Sequence, residues 1–129
     1  MKLRIRGNTI RLRLKRSEVD EIASGRSVVE QTRFPGTMLT YRLDVSDDGA
    51  FSATFADGNL AVRVPPAAVS RWTETDQVSL FTDLELEGGD TLSLLVEKDF
   101  ACLAPGDHRT HEDDTDTFAH PDAKTGQGC

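Results

Sequence analysis

Leu3, Ile5, Ile10, Leu12 and Leu14 alternate with Lys2, Arg4, Arg6, Arg11, Arg13 and Lys15, on either side of Gly7-Asn8. Successive side chains of a strand point to opposite sheet faces, so a period of two is strand geometry. A Gly-Asn pair between two such runs predicts a tight hairpin. Few folds can accommodate this segment. Its aliphatic face needs a core, and its other face is a raft of cations that needs water or anions.

The alternation continues down the chain. Ser17-Glu18-Val19-Asp20 reads as a helix start with Ser17 as cap, Val19, Ile22 and Ala23 on one face, and Gly25 just past the end. Val28 to Phe34 is an expected strand closed by Pro35-Gly36, and Leu39, Tyr41, Leu43 and Val45 alternate with polar residues as far as Ser46-Asp47-Asp48-Gly49. Phe51, Ala53 and Phe55, then Leu60, Val62 and Val64, flank a turn at Asp57-Gly58-Asn59. Pro65-Pro66 opens a second short helix carrying Val69 and Trp72. Val78, Leu80, Leu84 and Leu86 precede Gly88-Gly89-Asp90 and a final apolar strand, Thr91 to Cys102. The expected fold is α+β but mainly β, a small antiparallel barrel or sandwich of about seven to eight strands with two short helices. Its core is expected to hold Leu3, Ile5, Ile10, Leu12, Leu14, Leu43, Phe51, Phe55, Leu60, Val62, Trp72, Leu80, Leu94 and Val96. No internal repeat beyond the alternation is evident.

The 129 residues suffice for one domain, placed at 1–103. Residues 104–129 form an acidic, Gly- and Thr-containing tail whose composition predicts disorder, with Phe118 as its only anchor. The net charge of -7 conceals a strong asymmetry: residues 1–16 carry seven cations and no acid, whereas residues 17–102 carry six cations and sixteen acids. An acidic body argues against non-specific nucleic-acid binding, although screening over roughly 8–10 Å permits a local basic face. No apolar run reaches the roughly 20 residues of a membrane span, and the alternating N-terminus is unlike a signal peptide. Two cysteines, Cys102 and Cys129, are too few for a disulfide framework. A cytoplasmic location is expected.

Familiar catalytic motifs are missing: the chain has no Gly-rich phosphate loop, G-x-S-x-G, H-E-x-x-H or C-x-x-C. Histidines occur only after residue 107, so imidazole chemistry would require the tail. Glu85 and Glu87, and Glu97 and Asp99, are spaced two apart and share strand faces. Such pairs serve acid–base chemistry only where a pocket separates their pKa values. Here their parity sets them, with Asp83, against the cationic raft, where cross-strand charge pairing is the expected role. Donors for a metal concentrate in the tail at His108, His111 and His120 with Glu112, Asp113 and Asp114. Zinc accepts that mixture, and copper or nickel accept imidazole, but the spacing matches no structural zinc motif. Cys102 shares parity with Leu94 and Val96 and is expected to be a buried thiol.

Two resemblances follow from particular residues. The order strand, Gly7-Asn8-Thr9, Ile10-Arg11-Leu12-Arg13-Leu14, helix from Ser17, then Gly25-Arg26-Ser27-Val28-Val29 resembles the swapped-hairpin N-terminal domains of AbrB/MazE-type regulators over about the first 34 residues. That resemblance implies two chains exchanging hairpins and basic hairpin residues contacting DNA. Lys15-Arg16 replaces the Pro-Lys pair common in that family, and roughly seventy β-rich residues follow where such domains end. Over the whole chain, Met1-Lys2-Leu3-Arg4-Ile5-Arg6-Gly7-Asn8, Ser17-Glu18-Val19, Trp72-Thr73, Thr75-Asp76, and Leu94 to Phe100 with Cys102-Leu103 are similar to a small bacterial family of unknown function.

The leading expectation is a non-enzymatic binding or accessory module. Lys2, Arg4, Arg6, Arg11, Arg13 and Lys15 would meet an acidic surface of another protein. The alternatives are an AbrB/MazE-like DNA-binding regulator and a metal-binding protein using His108, His111 and His120. The bland counterpart is full neutralisation of the raft by Asp83, Glu85, Glu87, Glu97 and Asp99.

Overall fold

A computed structural model describes residues 1–100 and residue 118. The chain runs β1 (Lys2–Arg6), β2 (Thr9–Leu14), α1 (Arg16–Ala23), β3 (Val28–Phe34), β4 (Thr37–Val45), β5 (Ser52–Ala56), β6 (Asn59–Val64), α2 (Pro66–Glu74), β7 (Ser79–Glu85) and β8 (Thr91–Lys98), with one 3-10 turn at Glu87–Gly89. Local chemistry explains the boundaries. Pro66 opens α2, where its missing N–H would have had no helical partner. Gly25, at φ 88°, ends α1 while its N–H and that of Arg26 donate to Ile22 and Glu21 carbonyls. The start of α1 departs from expectation: Lys15 and not Ser17 is the cap residue, and Glu18 Oε1 accepts the Lys15 backbone N–H at 2.9 Å. The acid three residues into the helix makes the return half of a capping box, accepting the N–H of the cap residue itself.

The strands form two four-stranded sheets, ordered β1-β2-β8-β7 and β3-β4-β6-β5. Each sheet is mixed. Consecutive strands pair as antiparallel hairpins, whereas β2 runs parallel to β8 and β4 parallel to β6. A two-layer sandwich results, one of the two expected forms, and its pairing is mixed instead of all antiparallel.

This topology contains an internal repeat. The halves β1-β2-α1-β3-β4 and β5-β6-α2-β7-β8 each read hairpin, helix, hairpin. Exchanging them turns the order of the first sheet into that of the second. The first hairpin of each half is displaced by fifty positions: Leu3 faces Leu12 in one, and Ala53 faces Val62 in the other. Equivalent backbone bonds close the parallel seams. Ser93 N–H donates to Asn8 O at 2.9 Å and Thr40 N–H to Gly58 O at 2.8 Å. At the far end Asp99 N–H donates to Leu14 O and Ser46 N–H to Val64 O, each at 2.8 Å. The expectation of no repeat is therefore corrected. What the halves share is parity and turn position, while the residues themselves differ: Lys2, Arg4 and Arg6 correspond to Ser52, Thr54 and Ala56.

The core follows the repeat. Ile10, Leu12 and Leu14 are matched by Leu60, Val62 and Val64, Val19 and Ile22 by Val69 and Trp72, and Leu43 by Val96, and all are buried. The two helices pack against each other. The fully buried Trp72 donates Nε1–H to Val78 O at 3.0 Å, which satisfies its one polar atom. Of the expected core residues, Leu3 and Phe51 are half-buried, and Ile5 and Phe55 are exposed. The last two point to the inner side as their parity requires, but they lie near the hairpin turns and stand open to solvent. Phe118 returns to the fold: its N–H donates to Asp99 O at 2.8 Å and its ring meets Phe100 edge-on at 5.9 Å. The Arg16 guanidinium lies 4.9 Å from the ring centre.

Candidate binding face on the first hairpin

Strand register assembles the outer face of the first sheet row by row. Arg6 and Thr9 continue into Ser93 and Asp83, Arg4 and Arg11 into Leu95 and Phe81, and Lys2 and Arg13 into Glu97 and Ser79. Five of the six expected cations thus share one face. Lys15 stands apart at the start of α1, beyond the end of β2.

Neutralisation of this face is partial. Arg13 Nε donates to Glu97 Oε1 at 3.0 Å with Nη2 at 2.9 Å, and Arg11 Nε lies 3.7 Å from the same oxygen. Lys2 Nζ lies 3.7 Å from the buried carboxylate of Asp99. Asp83, in contrast, accepts Ser93 Oγ–H at 2.6 Å. Among the described residues Glu85 and Glu87 take no part in pairing the raft, and Arg4 and Arg6 form no ion pair. Register explains the difference: β8 puts Glu97 beside Arg13, but opposite Arg11 it puts Leu95.

Two recesses open here. One of about 390 Å³ is lined by Met1, Lys2, Leu3, Arg4, Arg11, Arg13 and Tyr41, and one of about 200 Å³ by Arg4, Arg6, Thr9 and Arg11. Arg4 and Arg11 border both, so the two recesses bring together four guanidiniums, Arg4, Arg6, Arg11 and Arg13, of which only Arg11 and Arg13 reach Glu97. The Tyr41 hydroxyl donates to Met1 O at 3.4 Å. Burial first, then the charges of Glu30 and Glu18, push its phenol above the ordinary value of 10.0. No proton-transfer pair occupies either recess, whose polar lining is cationic or hydroxylic. What the arrangement can do is hold an anion.

Sequence parity located these cations and two of their acids. It missed the apolar part of the face, Leu95 and the exposed Phe81. The available signal was an aliphatic and an aromatic residue on the same strand parity as Glu97 and Asp83. The candidate metal donors His108, His111 and His120, like Cys102 and Cys129, lie outside the described residues. Among the described residues no cluster of three or more metal-binding side chains occurs.

A family model described as a family of unknown function (DUF7009) matches residues 1–122. The chain belongs to that family. The DUF7009 match runs through both halves of the repeat and on past residue 103, so it includes His108, His111 and His120 but not Cys129. It agrees with the whole-chain resemblance read from the sequence, and no particular activity comes with it. No curated protein and no solved structure matches the DUF7009 chain. No helix among its described residues is long and apolar enough to cross a membrane.

Proposed function

We propose that this protein is a non-enzymatic binding module whose first hairpin docks an acidic surface of another protein. The observation that carries this reading is the unequal neutralisation of the cationic face. Glu97 and Asp99 hold Arg13 and Lys2, while Arg4 and Arg6 border open recesses without an ion pair among the described residues. Like charges crowded on neighbouring strands are unfavourable, and an incoming carboxylate relieves them.

The second half bears on partner class. At the positions equivalent to Lys2, Arg4, Arg6 and Arg11 it has Ser52, Thr54, Ala56 and Ala61. A DNA reader built on two equivalent basic hairpins would need cations in both, and residues 17–102 carry ten more acids than cations. A compact acidic protein surface fits a one-sided cationic face better than a duplex does.

The test is calorimetric titration of the full chain and an Arg4→Glu/Arg6→Glu variant with a peptide alternating Glu and Ser, and with a short duplex. The expected result is salt-sensitive peptide binding that charge reversal abolishes while the melting temperature holds. Duplex binding with a log-log salt slope near roughly -5, and none of the peptide, would overturn the reading in favour of DNA.

A further inference from the structure

Ile5 and Phe55 have the parity of core residues and the exposure of surface residues, 59% and 69%. They are equivalent positions of the internal repeat and line one apolar groove of about 380 Å³. Ile5 and Ile10 border it from the first hairpin, Phe55 and Leu60 from the second, and Leu39 and Leu92 from β4 and β8. The repeat relates Ile5 to Phe55, Ile10 to Leu60 and Leu39 to Leu92, so the groove lies where the two halves meet.

Strand β1 forms part of this groove and is also the terminal strand of its sheet. In a hairpin closed by a two-residue loop, the pair flanking the loop is hydrogen-bonded and the pairs alternate from there. Arg6, Arg4 and Lys2 therefore bond to β2, and the backbone N–H and C=O groups of Leu3 and Ile5 face the edge that no other strand among the described residues pairs with. The side chains of β1 divide in the same way. Leu3 and Ile5 face the groove, while Arg4 and Arg6 face the cationic recesses.

We infer that β1 accepts an extended segment of a partner protein as a fifth strand, and that this segment alternates apolar with acidic residues. The inference rests on the acidic-partner reading above and specifies the partner's sequence pattern. Backbone bonds to Leu3 and Ile5 supply sequence-independent affinity, and the two faces of β1 supply specificity. Apolar residues of the added strand enter the groove beside Ile5 and Phe55. Acidic residues, two apart, meet Arg4 and Arg6. Charge also selects against a second copy of this chain: two β1 strands edge to edge would set guanidinium against guanidinium.

The experiment is fluorescence anisotropy of the full chain with three labelled octapeptides: alternating Val and Glu, alternating Ser and Glu, and the Val–Glu peptide N-methylated at every second residue. Phe55→Ser serves as the groove variant, because an exposed side chain is removed without opening the core. The expected result is about tenfold tighter binding of Val–Glu than of Ser–Glu, a difference that Phe55→Ser erases. N-methylation in the strand-pairing register is expected to abolish binding. Equal affinity for Val–Glu and Ser–Glu, with both lost in Arg4→Glu/Arg6→Glu, would overturn the added strand and leave acidic docking standing. Full affinity of the N-methylated peptide would also overturn it. Failure of all three peptides to bind would overturn both readings.

Discussion

Arg13 on β2 and Glu97 on β8 sit side by side in a parallel register and are joined by a guanidinium–carboxylate contact at 2.9 and 3.0 Å. The contact ties the first hairpin to β8, and it takes up the one acid within reach of Arg11 among the described residues. Removing that carboxylate should release cationic potential onto the candidate face. Glu97→Gln is expected to strengthen binding of a Glu-containing peptide by several-fold. The pair is partly exposed, so the stability loss should stay under about 1 kcal/mol. Titration and chemical denaturation of the same variant check both halves of this statement. Weaker peptide binding in Glu97→Gln would mean that Glu97 positions Arg13 for the ligand.

The two hairpin turns make a second, purely structural prediction. Gly7 and Asp57-Gly58 all have positive φ, at 53°, 52° and 75°. A Cβ on Gly58 would also meet Met38 O at 2.7 Å, whereas one on Gly7 would meet nothing within 4 Å. Gly58 is therefore constrained twice, by its own dihedral and by the neighbouring strand. Gly58→Ala should cost clearly more than Gly7→Ala, which carries only the left-handed backbone penalty of about 1–2 kcal/mol. Urea denaturation of the two variants provides the comparison.

Tyr41 makes a prediction about pH. Its phenol is held above 10.0 by burial and by Glu30 and Glu18, so the folded state keeps a proton that the unfolded state releases first. The contribution is fully present below pH 10.0 and is lost as pH rises through the folded value. Lys98 acts with the opposite sign. Burial lowers its ammonium from 10.5, with Asp76 opposing and Arg16 assisting, so its deprotonation raises stability as pH approaches 10.5. Tyr41→Phe should accordingly flatten the alkaline fall in stability. Denaturation midpoints at about pH 9, 10 and 11 in wild type and variant test this, and parallel falls in both would refute it.

The candidate site was only half legible in the sequence, for a physical reason. Alternation assigns Arg4, Arg6, Arg11 and Glu97 to a sheet face, because side-chain direction in a strand is a local property. Which acid reaches which cation depends on the register of β2 against β8, strands separated by most of the chain. The difference between Arg13, paired with Glu97, and Arg4, which forms no ion pair among the described residues, follows from that register and from β1 lying one strand farther from β8. The groove was hidden in the same way. Parity gives Ile5 and Phe55 the inner face but not the burial expected of them, because it says which way a side chain points and nothing about whether another element covers it.

The sequence by itself determined the elements and their faces: hairpins at Gly7-Asn8 and Asp57-Gly58, a helix carrying Val19 and Ile22 and another opened by Pro66, and inward positions from Leu12 to Val96. Each is a consequence of steric and hydrophobic preferences acting over a few residues. Tertiary structure alone decided that the hairpins are exchanged between two halves of one chain, with β2 beside β8 and β4 beside β6. Those parallel seams join strands distant in sequence, and what selects them is the shared burial of Ile10, Leu12 and Leu14 against their counterparts Leu60, Val62 and Val64. Burial is non-directional and cumulative, so no local pattern encodes the partner that completes it.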